Sequence, residues 1–229
     1  MSRGGPSLPA VVDWGHRGYV DSLQAMRGLV LERRRGSIGD TLVLVEHPPV
    51  VTVGVEGDDG TAARSGLEVV AVERGGRATY HGPGQLVGYP IVDLAPRGND
   101  VRRFVRDVEG LVTRALEPFG VVAGHLKGQP GVWVDGRRKI ASVGIAVNHW
   151  VTFHGFALNV EPDLATFERF HPCGLDGTVM TSLARELGRP VALAEVRPHV
   201  LAAWEAVFSS HGPPRAEASG DVPPLAPPP

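Results

Sequence analysis

GVWVDGRRKIASVGIAVNHWVTFHGFALNV, residues 131–160, carries three strands in succession. Asp135-Gly136 is a strong two-residue turn signal between apolar runs, so 131–147 reads as a β-hairpin. Residues 150–160 follow as a further strand. Upstream, 41–45 (TLVLV), 50–54 (VVTVG), 68–73 (EVVAVE) and 86–94 (LVGYPIVDL) also read as strands. Pro90 inside the last of these predicts an edge position or a bulge, because proline cannot donate to a ladder. Helices occupy separate runs. Leu23, Met26, Leu29 and Val30 have helical spacing over 19–35, closed by Gly36. Val101, Phe104, Val105, Val108, Leu111, Val112 and Ala115 form a stripe of helical period, capped by Asn99 or Asp100 and stopped by Pro118 and Gly120. Residues 178–187 and 195–209 read as helices too, the second with Val200, Leu201, Trp204, Val207 and Phe208 on its apolar face. Strands joined by short turns, with helices gathered apart from them, predict an α+β fold built as a single mixed-sheet domain.

Composition bounds the function. The 229 residues suit one large domain or two small ones, and 42% hydrophobic with 21% charged is ordinary globular usage. Thirty glycines and 20 prolines predict many turns and close backbone approaches. A net charge of −2 disfavours a global grip on nucleic acid or anionic membrane. One cysteine excludes an internal disulfide framework and any CxxC metal site. No apolar run approaches a membrane span, and the N-terminus lacks the regions of a signal peptide, so a cytoplasmic setting is the default expectation. Residues 212–229 are Pro-rich and poor in large apolar side chains, and read as a disordered tail. Residues 1–12 read as an N-terminal extension, leaving 13–211 as the folded domain.

Four segments can carry chemistry. RGGRATYHGPGQLVGYP (74–90) packs five glycines around Arg74, Thr79, Tyr80, His81 and Gln85. Glycines let backbone N–H groups approach a ligand, although a strained hairpin loop would look the same. It is neither a Walker loop nor a GxGxxG fingerprint. His171-Pro172-Cys173-Gly174 places the single thiol at a tight turn, either as a nucleophile or as an inert small hydrophobe. Lys139 and Lys127 are the two lysines beside 21 arginines (23 − 2), and a lysine, unlike an arginine, can lose its proton when desolvated. That count does not choose between them. Gly155, within the strand after His154, marks close approach of a ligand or a bulge. The nine histidines form no HExxH and no carboxylate set with metal spacing, so no metal is expected.

Taken together these motifs resemble the octanoyltransferases of lipoate biosynthesis, also called lipoyl(octanoyl) transferases or lipoate-protein ligase B. The carriers are RGGRATYHGPGQ followed by Tyr-Pro, then KIASVGIAV, FHGFALNV and Pro-Cys-Gly in order, with EHPPVVTVG upstream. The likeness covers roughly 13–209. His171 departs from it, since many relatives have Asn before Pro-Cys-Gly. The resemblance implies a fold like the catalytic domain of biotin- and lipoate-protein ligases. It also implies transfer of an octanoyl group from octanoyl-acyl carrier protein to a lysine of lipoyl domains, on 2-oxoacid dehydrogenase E2 subunits and the glycine-cleavage H protein. No cofactor is implied, and a monomer is expected. By resemblance Cys173 is the acyl-accepting thiol and Lys139 its partner. Substrate contacts fall on Arg74, Gly75, Gly76, Arg77, Ala78, Thr79, Tyr80 and His81, on Ser142, Val143 and Gly144, and on Gly155, Phe156 and Ala157.

That chemistry is coherent. Thiol capture of a thioester needs no ATP, and an ammonium beside the thiol favours the thiolate. Backbone N–H groups near Gly75-Gly76 or Val143-Gly144 are candidate oxyanion donors, and Val143–Ile145 could line an apolar slot. Arg102, Arg103 and Arg106, or Arg137 and Arg138, are candidate docking patches for acidic partners. The rival readings are an ATP-dependent lipoate-protein ligase on the same fold, a cysteine acyl hydrolase and a non-catalytic acyl-binding module.

Overall fold

The computed structural model describes residues 9–170 and 172–209, apart from the side chain of Cys173. The stretch 212–229 and the first eight residues lie outside the described residues. In chain order the elements are β1 (Ala10–His16), α1 (Tyr19–Arg34), β2 (Thr41–Glu46), β3 (Val50–Val53), β4 (Val69–Ala71), β5 (Ala78–His81), β6 (Gln85–Ile91), α2 (Val101–Leu116), β7 (Ala123–Leu126), β8 (Gln129–Val134), β9 (Arg138–Asn148), β10 (Val151–Asn159), α3 (Leu183–Leu187) and α4 (Leu193–Phe208). The main sheet has the order β1-β2-β6-β10-β9-β8-β7, and a small sheet has β4-β3-β5. Both mix parallel and antiparallel pairs, β1–β2 and β3–β4 being parallel.

The hairpin forms as its turn residues dictate. Asp135 and Gly136 take φ of +50° and +63°, and the Arg137 N–H closes on the Val134 carbonyl at 3.0 Å. β2 shows why TLVLV is apolar throughout. Leu42 and Leu44 face the core under α2 and α4, while Val43 and Val45 face the core under α1. On the first face Phe104, Val108, Leu111 and Val112 of α2 pack with Val196, Val200 and Trp204 of α4. On the second, Tyr19, Leu23, Met26 and Val30 of α1 pack on Val87, Tyr89 and Ile91. Asp100 caps α2, accepting the Arg103 N–H at 2.9 Å, while Asn99 turns the chain at φ +58°.

Several elements depart from the sequence reading. Pro90 is not on an edge, because β6 lies between β2 and β10. Its missing N–H is accommodated opposite a distortion of β10, where His154 takes φ +57° and the register resumes unshifted at Asp93–Val151. β1 begins at Ala10, so the boundary expected after residue 12 falls inside a strand held to β2. β7, AGHL, has no β-branched run to announce it. The helix expected over 178–187 starts only at Leu183, because Ser182 caps it and Met180 is drawn into a bridge with Lys139. α4 begins at Leu193, where the Glu195 carboxylate takes the Ala192 N–H at 2.9 Å.

Candidate active site

β9 organises the site. Its first half pairs with β8, from Arg138–Val134 to Ala141–Val132. Further along the same edge, the Gly75 N–H donates to the Ile145 carbonyl at 3.0 Å. Successive residues of a strand point their backbone groups to opposite edges, so Val143 presents its N–H and carbonyl to the gap between β8 and the Gly75 segment. That gap opens into a cavity of about 420 Å³, in the range of small-molecule sites.

The glycines of the 74–77 segment are there for contact. A Cβ on Gly54 would meet the Gly76 carbonyl at 2.3 Å, and one on Gly144 would meet Arg74 Cδ at 2.9 Å. The segment is tied to its neighbour by Val55 N–H to the Arg74 carbonyl (3.0 Å) and by Gly76 N–H to Glu56 Oε1 (3.0 Å). The Gly75 and Gly76 N–H groups are therefore both engaged. Arg74 is buried. Its Nη2 donates to the Thr52 carbonyl and Oγ1, each at 2.9 Å, and its Nη1 to the Gly75 carbonyl.

Of the expected substrate contacts, Arg74, Gly75, Gly76, Arg77, Thr79, His81, Ser142, Val143, Gly144, Gly155, Phe156 and Ala157 line this cavity. Ala78 and Tyr80 do not. The pleat of β5 sends them into the core of the small sheet, where Tyr80 meets Phe167 edge-on at 5.3 Å. Thr79, on the cavity side, has a buried hydroxyl with no hydrogen-bond partner among the described residues. Gly155 is demanded by backbone rather than by open space, since a Cβ there would lie 2.1 Å from the Gly88 carbonyl oxygen.

Lys139 is 2% exposed and lines the cavity, its Nζ 5.4 Å from the centre of the Trp133 ring. Lys127 is exposed in the turn before β8. The tertiary structure thus separates two lysines that composition could not. Lys139 is also fastened to the segment that follows Cys173, through the Met180 bridge and the Thr181 N–H to its carbonyl at 3.0 Å. Cys173 falls in the single tight turn Pro172–Gly174, which packs on β5. The next residue, Leu175, lines the cavity, and Gly174 sits so near Arg77 that a Cβ would meet its Nη1 at 2.7 Å.

One end of the cavity is polar. Tyr19, Tyr89, His81 and His154 border it, backed by His47. His47 Nδ1 donates to the Arg17 carbonyl at 2.7 Å, which leaves Nε2 to accept the Tyr89 hydroxyl at 2.7 Å. Tyr19 stacks on His81 and its hydroxyl lies 3.4 Å from His154 Nδ1. Burial pulls His47 down to about 4. Burial, then the Arg74 charge, pulls His154 down to about 4. Burial, then His47 and Arg74, holds His81 well below its usual value. All three rings are neutral near pH 7. Burial pushes the Tyr19 phenol up to about 12, so it too is uncharged. The opposite wall is apolar, from Val101 and Val105 of α2, Val143, Ile145 and Phe156. The sequence reading did not name Tyr19, Tyr89, Val101, Val105 or the Gly128–Pro130 rim as site residues; Tyr89 closes the 74–90 motif, while the others reach the cavity from elements with no local motif.

The chain matches the family described as the lipoyl protein ligase A/B catalytic domain over residues 18–205. It is 45% identical over 195 residues to the octanoyltransferase of Geotalea uraniireducens, covering 85% of this chain and 91% of that one. To the octanoyltransferase of Geobacter sulfurreducens it is 44% identical over 192 residues, covering 84% and 81%. A crystal structure of lipoate-protein ligase A bound with ATP superposes with a TM-score of 0.70 at 16% identity, over 88% of this chain and 86% of that one. The biotin protein ligase of Aquifex aeolicus gives 0.51 at 12%, over 88% and 69%. At such identities the structural likeness establishes the fold, which is the α+β mixed sheet expected from the sequence.

Proposed function

The chain belongs to the lipoyl protein ligase A/B catalytic-domain family and, with its curated relatives, to the octanoyltransferases; from that premise we propose that Cys173 carries the octanoyl group between two proteins, with Lys139 managing the protons. The donor is octanoyl-acyl carrier protein, and the acceptor is a lysine of a lipoyl domain in E2 subunits or the glycine-cleavage H protein. In the first half, the Cys173 thiolate attacks the donor carbonyl. A C–S bond forms to the enzyme, the C–S bond to the carrier breaks, and the carrier leaves as a thiol on taking the proton of the Lys139 ammonium, which becomes the neutral amine. In the second half the acceptor amine attacks the enzyme thioester. A C–N bond forms, the enzyme's C–S bond breaks, and the proton lost by the amine passes to the neutral amine of Lys139.

The observation that carries this reading is Lys139, buried in the wall of a cavity shared with the 74–81, 142–144 and 155–157 segments and anchored to the segment that follows Cys173. With Gly75 and Gly76 engaged, Val143 N–H is the proposed oxyanion donor, a contact worth about 10²–10³ in rate. The apolar wall takes the acyl chain, at about 0.8 kcal/mol per buried CH₂. The test is incubation with octanoyl-acyl carrier protein, with and without ATP, followed by intact mass. A hydroxylamine-labile octanoyl adduct forms without ATP and is lost in Cys173→Ala. An adduct that persists in that variant, or transfer that requires ATP, would overturn the assignment.

A further inference from the structure

Glu109 plays no part in the mechanism above, and no sequence motif singles it out. It projects from α2, which packs on β7, β8 and β9. It is 5% exposed, which is costly for a carboxylate without compensation. Its Oε1 accepts the Gly131 N–H at 2.9 Å. Gly131 in turn lies against the stem of Lys139, where a Cβ would meet Cε at 2.6 Å and Nζ at 3.3 Å.

We propose that Glu109 is a positioning residue for Lys139: it holds Gly131 against the lysine stem and supplies the negative charge that keeps the ammonium protonated while the thiol is loaded. The proposal rests on Lys139 being the amine of the reaction. β8 sets the Trp133 face and the Gly131 backbone against the lysine, and α2 brings Glu109 behind Gly131, where the charges of His125 of β7, Lys139 and Arg106 all act on the carboxylate. On its own strand Arg138 is turned away, toward Asp135 and Glu186. Glu109 is thus the carboxylate behind Gly131, while Glu56, which lines the same cavity, is tied to the Gly76 N–H. Burial pushes its own carboxyl up, against the Gly131 hydrogen bond and the charges of His125, Lys139 and Arg106. The attraction is mutual, so removing the carboxylate makes the ammonium easier to deprotonate.

Glu109→Gln separates charge from structure, because the amide keeps the size and the oxygen that accepts from Gly131. Two lysines in the chain make the readout direct. Full-length protein labelled with [ε-¹³C]lysine gives one signal for Lys139 and one for Lys127, assigned with Lys127→Arg. In Glu109→Gln the Lys139 midpoint falls by about 1 pH unit while that of Lys127 stays in place. Glu109→Asp, which keeps the charge, retains most of the wild-type value. The alkaline limb of acyl-enzyme formation moves down with the Lys139 midpoint. A Lys139 titration that superimposes on wild type in Glu109→Gln overturns the proposal. Absence of any adduct in the wild-type protein would instead sink the thioester reading, leaving the NMR result to judge Glu109 by itself.

Discussion

Replacing Gly131 by alanine tests how tightly the Lys139 side of the cavity is built. Two costs arise together. Gly131 sits at φ +126°, a region that residues with a side chain rarely adopt, at about 1–3 kcal/mol. The new methyl would also lie 2.5 Å from the Ala141 carbonyl oxygen and 2.6 Å from Lys139 Cε. The carbonyl belongs to a strand paired on both edges and cannot retreat, so overpacking adds about 1–3 kcal/mol. The sum centres on about 4 kcal/mol, a large part of a typical 5–15 kcal/mol stability. For a chain of this length that is a fall in Tm of roughly 8–16 °C. What moves to relieve the clash is the lysine stem, and a displacement of about 1 Å at the amine proposed to carry the proton costs on the order of 100-fold in rate. Thermal unfolding and octanoyl loading by intact mass measure the two effects. Gly110→Ala is the control: it lies inside α2, nothing stands within 4 Å of its added methyl, and it stabilises by about 1 kcal/mol. A Gly131→Ala protein that melts within about 3 °C of wild type and loads normally would refute the packing argument.

Lys139→Arg keeps the charge but loses the titratable amine, and transfer to the acceptor lysine falls about 10²–10⁴-fold; full activity across the pH profile removes the acid–base role. Acid should weaken the fold through the buried histidines. His47 and His154 lie near 4 when folded and near 6.5 when unfolded, so the unfolded chain binds more protons between those values. Their contribution is complete above pH 6.5 and is lost as pH falls toward 4, on the order of 3 kcal/mol each at most. Denaturant unfolding shows stability rising from pH 4 to 6.5, with a shallower slope in His47→Gln; a flat profile contradicts it. Of the two arginine patches, Arg103 is paired with Asp107 and Arg138 with Asp135 and Glu186. Arg102 and Arg106 are exposed beside Val101 and Val105 at the cavity rim. Charge reversal at both raises the KM for the acidic carrier about tenfold at low salt, an effect that shrinks with added salt; an unchanged KM assigns them to a solvated face.

Much of the fold was legible because its signals are local. The Asp135-Gly136 turn, the α2 stripe with its Asp100 cap and the doubly buried run of β2 each declare themselves within a few residues. Pro90 was misplaced because a ladder's tolerance for a missing donor depends on the facing strand. Here His154 bends away opposite it. β1 was missed because its residues are mostly exposed and β7 because it is only four residues long, so no buried run marks either edge strand and each owes its existence to a partner. In the site, residue identities were legible but their sides were not, and the pleat of β5 alone decides that Thr79 faces the cavity while Tyr80 faces Phe167.

The sequence by itself determined the motifs, their order and the kinds of group that could react, since glycine, lysine and cysteine carry their chemistry wherever they stand. Which lysine is buried, which glycine N–H groups are already engaged and which carboxylate takes the Gly131 N–H came only from the tertiary structure. Those are distances between residues far apart in the chain. They are set when β8, β9, α2 and the 74–77 segment close around one space.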